Sequence, residues 1–223
     1  MIGIILRHIV ATAIAAAILS PAAAWAQDST CRNGFFPDGE GFRQAQVTAK
    51  RAFFYEDGNG CPTAQACRTR SFVIEGDQLV IDGRQLGAFV CAFYPNDVGG
   101  TAGWVQLADL RVRPTDTEPA ASRWQGAWTD KGSADVAISG AGNRTVITGN
   151  AFWPARPEEN EWVTIHIGEV DGPIAITGHR ATYGDDNDCQ LELTLLADFL
   201  LISDNRRCGG MNVTFSGVYV RAD

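Results

Sequence analysis

The chain has 223 residues, with 18 Lys or Arg against 26 Asp or Glu, and its formal net charge at pH 7 is −8. This acidic balance argues against a nucleic-acid partner and against anchoring on anionic lipid, because both attract a positive surface. Removal of a leader would leave enough residues for two small domains or one large domain.

The beginning of the chain has the pattern of a secretory signal peptide. A basic start precedes an alanine-rich run over residues 9–26, in which Ala24 and Ala26 form an A-x-A cleavage pattern. Residues 1–26 are therefore predicted to be removed on export, which leaves a periplasmic or secreted chain without membrane insertion. The alternative is an uncleaved membrane anchor, and the run is at the short limit for spanning a bilayer.

All six cysteines follow the predicted signal peptide, and an even number of cysteines in an exported chain predicts disulfide bonds. They form no C-x-x-C pair and have no histidine at zinc-finger spacing, which disfavours a thiolate metal site. Two of them, Cys189 and Cys208, follow a proline-containing segment and are expected to pair. Three connectivities are open for the first four, among which we favour Cys31–Cys61 and Cys67–Cys91.

Residues 27–113 are predicted to form a first domain of short strands and turns. The segment SFVIEGDQLVI turns at Gly76-Asp77, the run GAFVCAFY is apolar and β-rich, and GWVQLADL contains Trp104 in a short strand before a single turn. The order of these segments over about residues 51–112 resembles the bacterial SH3-like (SH3b) domain.

The SH3-like resemblance implies a small, strongly bent β-barrel that binds peptides, cell-wall material or a neighbouring domain and is not catalytic. The opening strand departs from the family, because RAFFYEDGNGC replaces the usual Asn-Val-Arg segment that helps to form the ligand groove in relatives. Trp104 is a candidate ligand-binding residue beside such a groove, and the alternative is that it belongs to the core.

A linker is predicted at residues 114–122, because RVRPTDTEPAASR has no apolar periodicity and contains two prolines. Residues 123–223 are predicted to form about eight strands joined by turns rich in Gly, Asn and Asp. The segment CQLELTLL alternates, with Leu191, Leu193 and Leu195 on one face. A meander of this kind is expected to close into a barrel, because closure removes unpaired edges. The predicted fold class is all-β.

The opening Gly126-x-Trp128 and the late Arg221 resemble the lipocalin and avidin class of barrels, in which a first-strand tryptophan packs against the barrel floor. The resemblance implies an architecture and no ligand site. Trp128, together with Trp153 and Trp162, is a candidate ligand-binding residue, because aromatic side chains near a barrel mouth can line a pocket or an interface. The alternative is that they plug the barrel ends.

The loop ISDNRRCGGMNVTF raises the question of whether Cys208 is reactive or structural. A hairpin turn at residues 197–198 sets a register in which Leu193 faces Ile202, and the same ladder brings Cys189 close to Cys208. A disulfide is therefore predicted, closing a loop of about twenty residues. The alternative makes Cys208 a nucleophile activated by the neighbouring arginines, but such a nucleophile needs a general base and no histidine is near in sequence.

Two histidines, His166 and His179, flank a hairpin turn predicted at Asp171-Gly172, which would place both on one polar face. No metal site is predicted there, because the local sequence supplies no third ligand. The acidic loop at residues 185–188 lacks the spacing and closing glutamate of an EF-hand, so a solvated loop is favoured over a calcium site.

No catalytic residue and no cofactor is predicted, because the chain lacks the nucleophile-elbow, H-E-x-x-H, S-x-x-K and phosphate-loop patterns. We interpret the sequence as an exported, non-enzymatic binding protein of the bacterial cell envelope. Its SH3-like domain would contact a cell-wall component or a protein, and its barrel a protein or a small apolar ligand. Two alternatives stay open: an inhibitor or accessory of a cell-wall hydrolase, and a hydrolase with dispersed carboxylates.

Overall fold

The computed structural model describes residues 30–34, 36–58, 60–153, 165–184 and 188–222. The predicted signal peptide, residues 1–26, and the candidate residue Trp162 lie outside these ranges. The predicted all-β class is confirmed, because the described chain forms strands joined by turns and short 3-10 segments. Among the described residues, no helix is long and apolar enough to cross a membrane.

The first β unit contains seven strands, which are β1 (Arg43–Val47), β2 (Arg51–Tyr55), β3 (Arg68–Ile74), β4 (Gln78–Leu86), β5 (Phe89–Tyr94), β6 (Thr101–Gln106) and β7 (Leu110–Val112). They pair antiparallel into one sheet in the order β3-β2-β6-β5-β4-β1-β7. The pairing of β4 with β5 is irregular between Ile81 and Gln85. Such a bulge bends a strand, and the sheet encloses a core that includes Val90, Ala92 and Val105.

The second β unit is a closed antiparallel barrel of eight strands, as the sequence predicts. Its strands are β8 (Gly126–Thr129), β9 (Ala134–Ser139), β10 (Val146–Trp153), β11 (His166–Thr177), β12 (Arg180–Tyr183), β13 (Leu191–Leu196), β14 (Phe199–Asp204) and β15 (Gly217–Arg221). The alternation of β13 places Leu191, Leu193 and Leu195 in the barrel core. The predicted hairpin register, with Leu193 opposite Ile202, is confirmed.

An apolar layer joins the two β units. Every second side chain of β5 joins this layer, and the others face the core of the sheet. In β14, Phe199 and Leu201 join the layer, whereas Leu200 and Ile202 face the barrel core. A continuous apolar run is typical of a strand that is buried on both faces. The predicted linker, residues 114–122, thus connects two units that also pack against each other.

The three disulfides are Cys31–Cys91, Cys61–Cys67 and Cys189–Cys208. The predicted Cys189–Cys208 bond is confirmed, but the pairs favoured for the first four cysteines, Cys31–Cys61 and Cys67–Cys91, are wrong. Cys91 projects from β5 into the layer between the β units, and Cys31 lies in that layer as well. Cys61 and Cys67 stand at the two ends of one turn, only 6 residues apart, and bond locally.

The hairpin turn predicted at Asp171-Gly172 is also wrong, because β11 runs through these residues without interruption. Asp171 pairs with Thr148 and Gly172 with Ile147 in the ladder between β10 and β11. A type I′ turn needs positive φ at both central residues, and neither residue has it. The chain reverses instead at Gly178, where φ is 59°. The long strand β11 is thereby able to pair with β10 first and with β12 afterwards.

Arg84 holds the segment before β1 against the sheet. Its guanidinium donates to the carbonyl oxygens of Thr30 and Phe36 and forms an ion pair with Asp82. The Asp82 side chain is fully buried. Burial raises the pKa of this carboxyl above its ordinary value, while the hydrogen bonds and charge of Arg84 act in the opposite direction.

We expect Arg84→Ala to lower the free energy of unfolding by about 3–5 kcal/mol near neutral pH, the usual cost of leaving one buried charge without its partner. Because burial raises the pKa of Asp82 in the folded state, the carboxyl becomes neutral as the pH falls through that pKa. The penalty should therefore shrink toward acid pH. Urea unfolding of both proteins over a pH series measures it.

Asp82→Asn is the matched background for this experiment, since it keeps the shape of the side chain and removes its charge. In that background Arg84→Ala should cost less, because no unpaired charge is left behind. An equal penalty at every pH and in both backgrounds would mean that Arg84 acts by packing alone.

Candidate binding surface

The structure does not bring the candidate tryptophans to one place. Trp104 is fully buried in the layer between the β units, where its Nε1–H donates to Oδ1 of Asp57 at 3.3 Å. Trp153, at the end of β10, is 45% exposed. Trp162 lies outside the described residues. A ligand role for any of the four stays a prediction, and by its position Trp153 suits such a role better than Trp104.

Trp128, on the first barrel strand β8, belongs to the barrel core. Its ring is buried, and the Arg221 guanidinium carbon lies 3.7 Å from the ring centroid. The Arg221 side chain also donates to the carbonyl oxygens of Arg123 and Gln125, just before β8. This cation–π contact and its hydrogen bonds join the first and last strands of the barrel.

The loop after β14, residues 205–216, is stapled by the Cys189–Cys208 disulfide. Cys208 therefore has no thiol to act as a nucleophile in this structure. Asn205 also holds the segment that contains Cys189, because its Nδ2 donates to the Asp188 carbonyl and its Oδ1 accepts from the Gln190 amide. The loop is a cross-linked support rather than a thiol site.

Asp204 organises the same loop from its base. One carboxylate oxygen, Oδ2, accepts from Thr214 Oγ1 at 3.0 Å and from the Phe215 amide at 2.6 Å. The other, Oδ1, accepts from Ser216 Oγ and from the Arg206 amide, both at 3.1 Å. Hydrogen bonds to a charged acceptor are stronger than neutral ones. The Asp204 side chain therefore holds both the start of the loop, at Arg206, and its end, at residues 214–216.

The stapled loop packs into the end of the barrel against β11. The Gly210 amide donates to the carbonyl oxygen of Ile167 at 3.2 Å. Gly168 faces inward at this point, and a Cβ there would overlap the carbonyl oxygen of Cys208. A Cβ on Gly209 would in turn approach the Gly168 Cα to 2.7 Å. The two glycines therefore permit a close approach of backbones that no larger residue allows.

Exposed apolar side chains gather around this end of the barrel, and we call them the apolar rim. Among the described residues, five of the eight large exposed apolar side chains belong to it, namely Phe152, Trp153, Ile165, Ile167 and Met211. Phe152 pairs across the strands with Ile167. Trp153 and Met211 line a cleft of about 600 Å³ together with Arg206. Clustered exposed apolar groups are typical of an interaction surface, whereas single ones need no explanation.

The outer face of the barrel beside the rim is acidic. Asp135 on β9 and Glu169 on β11 flank Asn150 of β10 in one cross-strand row, and Asp171 lies two residues further along β11. These side chains are exposed, and the three strands contain no lysine or arginine. The rim therefore continues into a surface that attracts positive charge.

The histidines do not form a pair, contrary to the predicted hairpin. His166 opens the twelve-residue strand β11 beside Gly210, and His179 lies in the turn after that strand. Among the described residues, no group of three or more His, Cys, Asp or Glu side chains is placed to hold a metal ion. Of the acidic loop at 185–188, residues 185–187 lie outside the described ranges.

Sequence reasoning places Trp124 on one strand face with Trp128 and does not select it as a site residue, but the structure places it before β8 rather than on that strand. A short 3-10 segment, Ala121–Arg123, turns this side chain into the barrel core, where it is 1% exposed and lines a cavity at the end opposite to the rim. The sequence shows that Trp124 follows the linker closely. It does not show that the linker lies over the end of the barrel.

Comparisons of the chain with protein-family models, with curated proteins and with solved structures give no match.

We expect Gly168→Ala to destabilise the protein by about 2–3 kcal/mol, because the added Cβ forces the stapled loop away from β11. Gly132→Ala is the matched control, since its Cβ would meet only ordinary contacts, with Asp130 and the Gly99 Cα, at 3.5 Å or more. Thermal and urea unfolding of both variants measure the difference. Equal stability of the two variants would show that the loop yields without cost and is not a rigid support.

Proposed function

We propose that this chain is an exported, non-enzymatic binding protein of the bacterial cell envelope, and that a protein partner docks on the apolar rim. The observation that carries the proposal is the concentration of exposed Phe152, Trp153, Ile165, Ile167 and Met211 on two strand ends and one stapled loop. A rigid apolar surface binds at a lower entropic cost than a mobile one, because little has to be ordered on contact.

The disulfides support the export part of the proposal. All six cysteines are paired, in three bonds that link strands, loops and the segment before β1. Disulfides persist in oxidising compartments such as the periplasm and the extracellular space, and are rare in the bacterial cytosol. The signal peptide predicted at residues 1–26 indicates the same compartment.

The proposal keeps the SH3-like interpretation for the first β unit, with a cell-wall component or a protein as its ligand. Support comes from the irregular strand β4, which lets a small sheet bend, and from the 3-10 turn Leu107–Asp109 at the single turn expected after β6. The complete burial of Trp104 favours a core role for this residue over a place in a ligand groove.

The acidic surface beside the rim favours one kind of binding protein, an inhibitor of a cell-wall hydrolase. The rim adjoins Asp135, Glu169 and Asp171, on strands without a positive charge. An enzyme that acts on anionic wall polymers benefits from a positive surface, which would complement this face.

The hydrolase alternative has weaker support. Among the described residues, the carboxyls whose pKa is raised by burial are Asp82 and Asp109, and both belong to the first β unit. Asp82 is fully buried and paired with Arg84, so a substrate does not reach it. The raised pKa of Asp82 therefore reflects its place in a buried ion pair, which is a structural role.

The test uses the full mature chain and two probes, a basic lysozyme and purified peptidoglycan, with binding followed by surface plasmon resonance. Met211→Asp should weaken lysozyme binding at least about tenfold, because a carboxylate is buried in an apolar contact. Val98→Asp is the matched control, since Val98 is 70% exposed and Met211 71%, and it should leave binding unchanged. Added salt should weaken the complex through the acidic face.

Binding to lysozyme with loss of its activity would support the inhibitor form. Binding to peptidoglycan that is insensitive to Met211→Asp would shift the function to the first β unit. Equal losses for Met211→Asp and Val98→Asp, or binding to neither probe, would contradict docking of this class of partner on the rim.

A further inference from the structure

The outward surface of β2 and β3, in the first β unit, combines apolar side chains with positive charge. We call it the arginine face, and its members are Arg51, Phe53, Arg68, Arg70, Phe72 and Ile74. In β3, Phe72 and Ile74 are 43% and 52% exposed, whereas Val73 between them is buried in the core of the sheet. The two strands contain no Asp or Glu, although the whole chain has a net charge of −8. The arginine face is therefore a local positive surface on an acidic protein.

The rings and guanidinium groups of the arginine face hold one another in place. Phe53 pairs with Phe72 across the strands, and their ring centroids are 5.7 Å apart. The guanidinium carbon of Arg51 lies 4.7 Å from the Phe72 centroid, and that of Arg68 lies 4.6 Å from the Phe53 centroid. The ion pairs among the described residues include none of Arg51, Arg68 and Arg70. Two of these three charges are thus ordered by rings, and a carboxylate neutralises none of them within the described part of the chain.

The barrel carries a face of the opposite sign, the acidic face of Asp135, Glu169 and Asp171. On the outward side of β11, Ile167 of the rim, Glu169 and Asp171 follow one another at every second residue, and all three are exposed. The apolar rim therefore runs directly into carboxylates on one strand. Each of the two faces combines apolar side chains with charges of a single sign, and the two signs are opposite.

Both faces are sheet surfaces, and two sheet surfaces can pack on each other. Side chains on one side of a strand repeat about every 6.6–6.8 Å, and stacked sheets lie about 10 Å apart. This common repeat lets apolar side chains meet apolar ones while arginines meet carboxylates. Aromatic side chains and arginine are also the residues that protein interfaces favour. Because both faces are exposed in the same molecule, a contact between them has to join two molecules.

We propose that the arginine face of one molecule docks on the acidic face and the adjoining rim of a second copy of this chain. In this contact Phe72 packs on Ile167 of the second molecule, and the arginines meet the carboxylates of its acidic face. Since two different surfaces meet, each molecule keeps one surface of each kind free, and the contact repeats head to tail. The inference rests on the proposed function for its use of the rim, and it names the chain itself as a protein that docks there.

Sedimentation equilibrium of the full mature chain tests the contact. At about 0.15 M salt, repulsion between the net charges of two molecules is screened beyond about 8 Å, while pairs in contact are screened less. The weight-average mass of the wild type should therefore rise above that of the monomer with increasing protein concentration, up to about 1 mM. Higher salt should lower it again, because the arginine–carboxylate pairs weaken.

Two variants disable one face each. Arg68→Glu places like charges opposite each other, and Ile167→Asp buries a carboxylate in the apolar part of the contact. Either change should weaken self-association about tenfold or more. Arg111→Glu is the matched control, since Arg111 is an exposed arginine on β7, the other edge strand of the same sheet, and it should associate as the wild type does. Circular dichroism establishes that each variant is folded.

An equimolar mixture of Arg68→Glu and Ile167→Asp decides whether the contact is head to tail. The first variant keeps its acidic face and the second keeps its arginine face, so one intact contact can form between them. The mixture should give a 1:1 dimer that grows no further, because the two faces left over are both disabled. A contact between identical surfaces would not be restored by mixing.

The proposal is overturned if the folded wild type stays monomeric, if Arg111→Glu weakens association as much as Arg68→Glu, or if the mixture forms no dimer. Lysozyme binding separates this inference from the proposed function, because Arg68→Glu leaves the rim intact and should not change it. Lysozyme binding that is lost in Met211→Asp, without self-association of the wild type, would remove this inference alone.

Discussion

Strands β5 and β14 face each other across an apolar layer that neither β unit can leave exposed to water. In β5 the sequence FVCAFY leaves no polar face, and in β14 Phe199 and Leu201 point away from the barrel core that Leu200 and Ile202 fill. Burial of both faces is the only arrangement that removes these side chains from water. The layer therefore fixes the two units relative to each other and decides which parts of the barrel remain free for binding.

The same layer explains why the early disulfides could not be predicted. Cys31 reaches Cys91 because Phe36, five residues after Cys31, is also drawn into the layer and stacks near Phe93 with ring centroids 5.4 Å apart. Spacing in the sequence carries no trace of this contact, which spans 60 residues. The Cys189–Cys208 bond was predictable because a short hairpin sets its register and both cysteines extend that hairpin.

Local sequence patterns predicted the barrel. Tertiary contacts determined the course of β11 and which apolar side chains stay exposed. Alternation in β13 and the turn at residues 197–198 are properties of short segments, and both were found as expected. The Asp171-Gly172 pair has equally good turn chemistry, yet β10 on its other side holds it in a strand. The apolar rim and Trp124 were not distinguishable in sequence, because an apolar residue in a strand looks the same whether it faces the core, solvent or a cavity.

The two ends of the barrel differ in the interactions that order them. At the rim, a disulfide and the four hydrogen bonds of Asp204 hold a loop whose apolar side chains still face outward. At the opposite end, the Arg221 guanidinium lies over the buried Trp128 ring, and the linker residues Glu118 and Pro119 lie beside the barrel end near Trp124. The rim therefore presents apolar side chains on backbone that is already ordered, and the proposed docking of a protein there would need little further ordering. The packed core between the two ends lets each end keep its own geometry, because neither needs the other to form.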